Sequence, residues 1–506
     1  MDIKRKIIKN STVGMLYQII NTFFQFIIRI FIVKYLGEEI LGINSTFSSL
    51  LNTISLAELG FQTAVVYSLY KPLEKNDKEQ INELANIYRY IYQKIGFLFI
   101  VISLAVIPFL HVVLKGIEIN NVIYLIWILQ AMGTASTYFM AYRRAILYAD
   151  RREYIYKLCD TCFVSVISII QIIMIIVFKD YIYYLVLNIV KVFLSNAIVN
   201  HICIKYYPFL HKERINREIF RSIFNNVKSI FTSKIAGAVN QSANNLIISS
   251  LISAIASGKY TNYALISNTL KLISDSITNP ISPFIGRMIN AVDSNNENSE
   301  FVFRIYTFVR FVLAAFIVPA VIIWSSTLIS ILYGKQYVMS EIVPILFGLD
   351  IYIHIIHSAS CDYINGMGLF SYAKRIEIKG AVINIIFSVL FAIKLGISGV
   401  LLGTLLSQIY FWFSRVKLCY ERCFMEETVY KYVKDNIFYG ITVALILVSS
   451  LLFKIQLNGE MSFTGFIIRV LLSELINLIL VILFCARNNY AIILFRYLCT
   501  MLKEKK

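Results

Sequence analysis

Charge is scarce in this sequence of 506 residues. Asp, Glu, Lys and Arg make up 15% of it and apolar residues 58%. Soluble domains carry about 25% charged and roughly 45–50% apolar residues. The shortage excludes a soluble enzyme, a disordered chain and a disulfide scaffold. Catalytic signatures are missing too. There is no phosphate-cradling P-loop, no HExxH and no nucleophile elbow with partners, so the chain reads as a non-enzyme. The eight cysteines are scattered. Cys159 and Cys162 form a CxxC, and Cys419 and Cys423 a CxxxC, but no second ligand pair follows at zinc-site spacing. They read as small apolar residues, with no metal site. No segment outside the apolar runs is long enough to fold alone, which leaves no place for a catalytic domain.

What the sequence has is apolar runs of bilayer length, roughly 20 residues each. The mean hydropathy is +0.69. The runs predict an all-α polytopic membrane protein of about fourteen spans, at residues 12–36, 41–66, 88–114, 122–148, 158–178, 181–204, 225–252, 259–286, 306–332, 341–366, 377–394, 396–417, 436–454 and 463–485. Lys4, Arg5 and Lys6 precede an apolar run from Val13 to Leu36 that is too long for a cleaved leader, so it is expected to stay as the first helix. An even number of spans puts both ends on one side. That side then carries 33 Lys and Arg and the other only six: Lys115, Lys179, Lys259, Lys335, Lys394 and Lys454. Basic residues stay in the cytoplasm, so both termini are expected there, in a plasma membrane. The same asymmetry explains the net charge of +18 without a nucleic-acid partner.

A repeat is visible at an offset of 216 residues. Gly42 falls on Gly258, Ser45 on Thr261, Asn52 on Asn268, Lys71 on Arg287 and Asp77 on Asp293. Six spans lie between the copies, so both copies run the same way through the membrane, as a parallel repeat. The expected organisation is an N-lobe over 1–204 with helices 1–6, a cytoplasmic linker over 205–224 and a C-lobe over 225–418 with helices 7–12. Helices 13 and 14 and a cytoplasmic tail follow over 419–506.

Polar groups at bilayer depth are costly unless they face protein or water. In the first span Gln18, Asn21, Gln25 and Arg29 lie on one helical face. Ser45, Ser48, Asn52, Ser55 and Gln62 make a second stripe. Lys234, Gln241 and Asn245 share a face of the seventh span, and Asn268, Lys271 and Asp275 a face of the eighth. Such stripes either bond helix to helix or line a hydrated cavity between lobes, and four of them in related helices favour the cavity. Arg29 is the most informative charge. Its burial needs an anion or a carboxylate such as Glu58, and a guanidinium suits bidentate phosphate binding. Lys271 and Asp275, four apart, are placed to pair with each other. Lys34, Lys94, Lys228 and Arg310 lie near span ends and are expected to snorkel. Arg143 and Arg144 end the fourth span at the cytoplasmic face and fit the positive-inside rule. Asp350, His354 and His357 share a face of the tenth span, as a satisfied buried cluster or a proton-responsive one. Gly399 and Gly403 form a GxxxG packing motif.

With these residues in place, the chain resembles the Wzx-type polysaccharide and O-antigen flippases. They belong to the multidrug/oligosaccharidyl-lipid/polysaccharide exporter superfamily, to which the MATE transporters also belong. The resemblance runs along essentially the whole chain. It is carried by Tyr35-Leu36-Gly37 through Gly42, Ala57-Glu58-Leu59-Gly60-Phe61, Tyr70-Lys71-Pro72-Leu73 and the stretch Arg143 to Arg151. It implies translocation of a capsule, O-antigen or exopolysaccharide repeat unit on undecaprenyl diphosphate, from the inner to the outer leaflet of a bacterial plasma membrane. It also implies two lobes opening a cationic cavity to each side in turn, among membrane lipids and other polysaccharide-assembly proteins. The substrate-facing set would be Arg29, Gln25, Asn21, Gln18, Asn52, Lys234, Gln241, Asn245, Asn268 and Lys271. Glu58, Asp275, Asp350, His354 and His357 are candidates for coupling to Na⁺ or H⁺, with no other cofactor. Such flippases rely on several central arginines, whereas this chain has one, with lysines elsewhere. The alternatives are a peptidoglycan lipid-precursor flippase, a MATE-type drug/cation antiporter and, from another class, a membrane glycan polymerase or glycosyltransferase. A polymerase needs a sizeable loop at a membrane face, and the outer loops here are short.

Overall fold

The computed structural model describes residues 2–55, 61–140, 142–213, 242–278, 296–366, 369–424, 429–456, 462–486, 488 and 490–492. Among them every regular element is a helix. In the first part of the chain these are α1 Asp2–Ile54, α2 Phe61–Lys75, α3 Lys78–Val106, α4 Leu110–Val113, α5 Asn121–Met140, α6 Tyr142–Ala149, α7 Glu153–Phe178, α8 Tyr181–Tyr206 and α9 Ser242–Ile252. There follow α10 Ala254–Thr278, α11 Asn296–Tyr333, α12 Ile342–Gly366, α13 Phe370–Cys419, α14 Tyr430–Gln456 and α15 Phe463–Cys485. Ten helices among the described residues are long and apolar enough to cross a membrane. The chain is thus an all-α polytopic membrane protein.

Two of the ten are too long for one crossing. The apolar part of α1 runs over Thr12–Ile54, 43 residues, and that of α13 over Tyr372–Arg422, 51 residues. At about 1.5 Å per residue each would be more than twice the ~30 Å hydrocarbon core. Both break at a glycine with positive φ, Gly37 (φ 86°) and Gly396 (φ 58°). Only glycine takes that conformation without a Cβ penalty. The breaks fall where the sequence separates its first span from its second and its eleventh from its twelfth.

Two compact units form, Met1–Gly258 and Lys259–Lys506. As units of contact they divide later than the basic linker at 205–224, because α9 packs on α1. Thr46 donates to Ser249 at 2.8 Å, and Asn245 donates to Ser49 at 2.9 Å. Gly42 faces the backbone of Ala254, and a Cβ on Gly258 would come within 2.9 Å of the Gly42 nitrogen. Small residues permit such backbone approach, which is how helices associate where lipid removes the hydrophobic drive. The GxxxG of α13 does the same within the second unit. Side chains at Gly399 or Gly403 would collide with the backbone at Phe391 or Ser388.

Aromatic rings fill both interiors. In the first unit Phe47 meets Trp127 edge-on at 5.0 Å, and Trp127 donates its indole N–H to the Ser103 carbonyl. In the second, Phe311 stacks on Tyr439 at 4.4 Å, and Phe303 packs with Tyr363, Tyr420, Phe424 and Tyr432. The burial pattern of α15 is inverted relative to a soluble helix. Leu471, Leu475, Ile479 and Leu483 are exposed, while Ser473 and Asn477 are buried and Asn477 accepts a hydrogen bond from Ser450 at 2.8 Å. Lipid-facing leucines and inward polar groups are the arrangement a bilayer selects.

Candidate functional site

In the first unit the polar residues of α1 separate into two kinds. Gln18 and Gln25 are exposed, and Asn21 and Arg29 are half-buried beside them. The arm after Gly37 leaves Ser48 and Asn52 exposed, but turns Ser45, Thr46 and Ser49 inward onto α9 and the start of α10. An exposed polar stripe at bilayer depth has to meet water or a polar solute. Arg29 directs Nη2 to the carbonyl oxygen of Gly258 at 3.2 Å, so its guanidinium is held at the border of that stripe. Asn245 is bonded to Ser49, and is helix-to-helix glue in this arrangement. Glu58, Lys234 and Gln241 lie outside the described residues.

Arg144, at the end of the fourth predicted span, ties helices together. Its fork takes both Asp160 oxygens, at 2.7 and 2.9 Å. It also reaches Asn196 at 2.8 Å and Ser195 at 3.0 Å, tying α6 to α7 and α8. Arg143 donates to the Asn200 side chain. Just past α8, Tyr207 donates to Asp150 at 2.6 Å; burial and that carboxylate hold its hydroxyl above the usual phenol range.

The second unit contains a charge network over α10–α13. Lys271 is ion-paired with Asp350 of α12 at 2.5 Å, and not with Asp275 four residues on. Asp275 instead faces His354 at 3.3 Å and Arg310 at 3.7 Å. The i,i+4 spacing put Lys271 and Asp275 within reach, but partners on other helices won. Arg310 does not snorkel. It is among the most buried large side chains, ion-paired with Asp362 at 2.8 Å and bonded to the Tyr306 hydroxyl at 2.8 Å. The face shared by Asp350, His354 and His357 is as the spacing predicts, but each side chain has its own partners. Asp350 accepts from Gln408 at 3.1 Å, and His357 lies between Gln408 at 3.1 Å and Arg415 at 3.0 Å. Arg415 is in turn paired with Glu377. Asn268 stands exposed on α10, one turn before Lys271. Sequence reasoning passed over Asp160, Asp362, Glu377, Gln408 and Arg415. The signal available was that each is charged or polar within or beside an apolar run.

This multi-pass helical fold has counterparts among solved structures. The chain is similar to the lipid II flippase MurJ in an inward closed conformation, with a TM-score of 0.71 and 14% identity, over 95% of this chain and 99% of that one. It is also similar to a multidrug resistance MATE family transporter of the MOP superfamily. The inward-facing form gives a TM-score of 0.62 at 14% identity, over 81% of this chain and 98% of the other. The outward-facing form gives 0.56 at 13%, over 82% and 96%. No family profile matches the sequence, and no curated protein matches it. The fold is therefore shared with MurJ and the MATE transporters.

Proposed function

We propose that this protein is a flippase that moves a lipid-linked oligosaccharide with a diphosphate headgroup across the membrane by alternating access. One observation carries the reading above the others. The fold match to the lipid II flippase MurJ takes in 95% of the chain, whereas the match to the MATE transporter leaves nearly a fifth of it outside. The exposed stripe of Gln18, Gln25 and Asn52, with Arg29 at its border, supports a polar headgroup as cargo. In this reading the amides bond the sugar hydroxyls, and the guanidinium takes the phosphate oxygens. A polymer repeat unit on undecaprenyl diphosphate is the preferred cargo, from the resemblance of the sequence to Wzx-type flippases. The peptidoglycan lipid precursor is the second reading, favoured by the MurJ match.

The test is reconstitution into vesicles with defined undecaprenyl-diphosphate saccharides, scoring access of the sugar from the far side. Protein-dependent exposure of a polymer repeat unit is expected. Exposure of the peptidoglycan precursor alone would select the second reading. Movement of small cationic dyes without either lipid would overturn both.

A further inference from the structure

The charge network of the second unit has an orientation and an imbalance. The orientation comes from the donors. A guanidinium has only N–H donors. Arg415 Nη1 lies 3.0 Å from His357 Nδ1, so that nitrogen is the acceptor and the ring proton is on Nε2. His357 Nε2 therefore donates to Gln408 Oε1 at 3.1 Å, and Gln408 Nε2 donates to Asp350 Oδ1 at 3.1 Å. Lys271 closes the chain on the other oxygen of Asp350. The neutral His357 tautomer satisfies every bond in this series. A second proton on Nδ1 would break the contact with Arg415 and set two cations against each other.

The imbalance comes from counting. Among the described residues, Asp275, Asp350, Asp362 and Glu377 are matched by Lys271, Arg310 and Arg415, so this network carries one surplus negative charge while both imidazoles are neutral. His354 is the 13th residue of the 24-residue apolar helix Ile342–Asn365. Uncompensated charge at such depth is costly. His354 faces Asp275 of α10 and His357 of its own helix; Arg310 of α11 reaches the same Asp275, Lys271 and Asp350 pair with each other, and Arg415 of α13 lies between His357 and Glu377. Asp275 is in direct contact. The rings of His354 and His357 are 5.8 Å apart. The pair is among the open parts of the network: the His354 and Asp275 side chains are 26% and 31% exposed, with Glu377 at 25%, against 2% for Arg310 and 7% for Asp350.

We propose that His354, backed by Asp275, is a single-proton binding site that neutralises the membrane-embedded charge network of the second unit, with His357 a fixed neutral link. The His354 Nε2–H bonds to Asp275. The incoming proton takes the lone pair on Nδ1, and the imidazolium charge cancels the surplus carboxylate. The site rests on the flippase reading only for its use as a coupling step; proton binding itself requires no substrate.

The test is exchange of the imidazole C2 hydrogen for deuterium between pH 5 and 8, resolved residue by residue by mass spectrometry on the full chain in lipid nanodiscs. This rate follows the protonation state of each ring, and the wild-type protein suffices. A sigmoidal profile at His354 with a flat profile at His357 is expected. A flat profile at His354, or a sigmoidal one at His357, would overturn the proposal. Neither result depends on whether the lipid-linked saccharide moves, so failure of the proton site and failure of the flippase reading are separately visible.

Discussion

The two units use polar groups in opposite ways. The first holds its helices with short neutral contacts: Thr46 to Ser249, Asn245 to Ser49, and the Asn44–Gln130–Tyr181 cluster. Among the described residues its ion pairs gather around α6 and the start of α7. The second unit places ion pairs within its helix bundle, with Lys271–Asp350 and Arg310–Asp362 both largely buried. Neutral contacts cost little to bury and do not change with protonation. Buried charges are costly and respond strongly to any change in their balance. The same architecture thus holds a neutral polar face in one unit and a charged one in the other.

The contrast breaks most visibly at Arg310. Arg310→Ala removes the charged partner of Asp362, leaving it the Tyr306 hydroxyl, and weakens Asp275; loss of one partner of a buried pair costs about 3–5 kcal/mol. The yield of monodisperse protein should collapse, and the double variant Arg310→Ala with Asp362→Asn should recover part of it. Next in size is Gly42→Val, which drives a side chain into the Ala254 carbonyl. Overpacking of this kind costs about 1–3 kcal/mol, read as a lowered thermal midpoint in detergent. Thr46→Val removes a single neutral bond to Ser249 and should cost about 0.5–1.5 kcal/mol by the same readout. Smallest is Gln25→Ala, an exposed site expected to stay within about 0.5 kcal/mol of wild type while slowing transport. If Thr46→Val proved as damaging as Arg310→Ala, the distinction between the units would fail.

Much of this was legible in the sequence. The apolar runs gave the helices, and the two long runs broke at Gly37 and Gly396 where the spans were separated. The repeat singled out Gly42 and Gly258, which turn out to lie against one another. The pairing of charges was not legible. A periodic pattern shows which face of a helix a residue occupies, but not what stands across from it. Arg310 looked like a snorkelling end residue because Asp362, its partner, is 52 positions away. Lys271 and Asp275 looked like a local pair because the i,i+4 rule sees only one helix. For the same reason His354 and His357 appeared equivalent, although one faces a carboxylate and the other a guanidinium.

The central claim, that the exposed face of α1 handles an anionic headgroup, is tested most directly by the flipping rate of Arg29→Ala against wild type in vesicles holding equal amounts of folded protein. A charge-assisted contact is worth about 1.5–3 kcal/mol, so the account predicts a loss of roughly 10- to 150-fold, with Arg29→Lys intermediate because a point charge loses the bidentate geometry. Wild-type flipping by well-folded Arg29→Ala would contradict it.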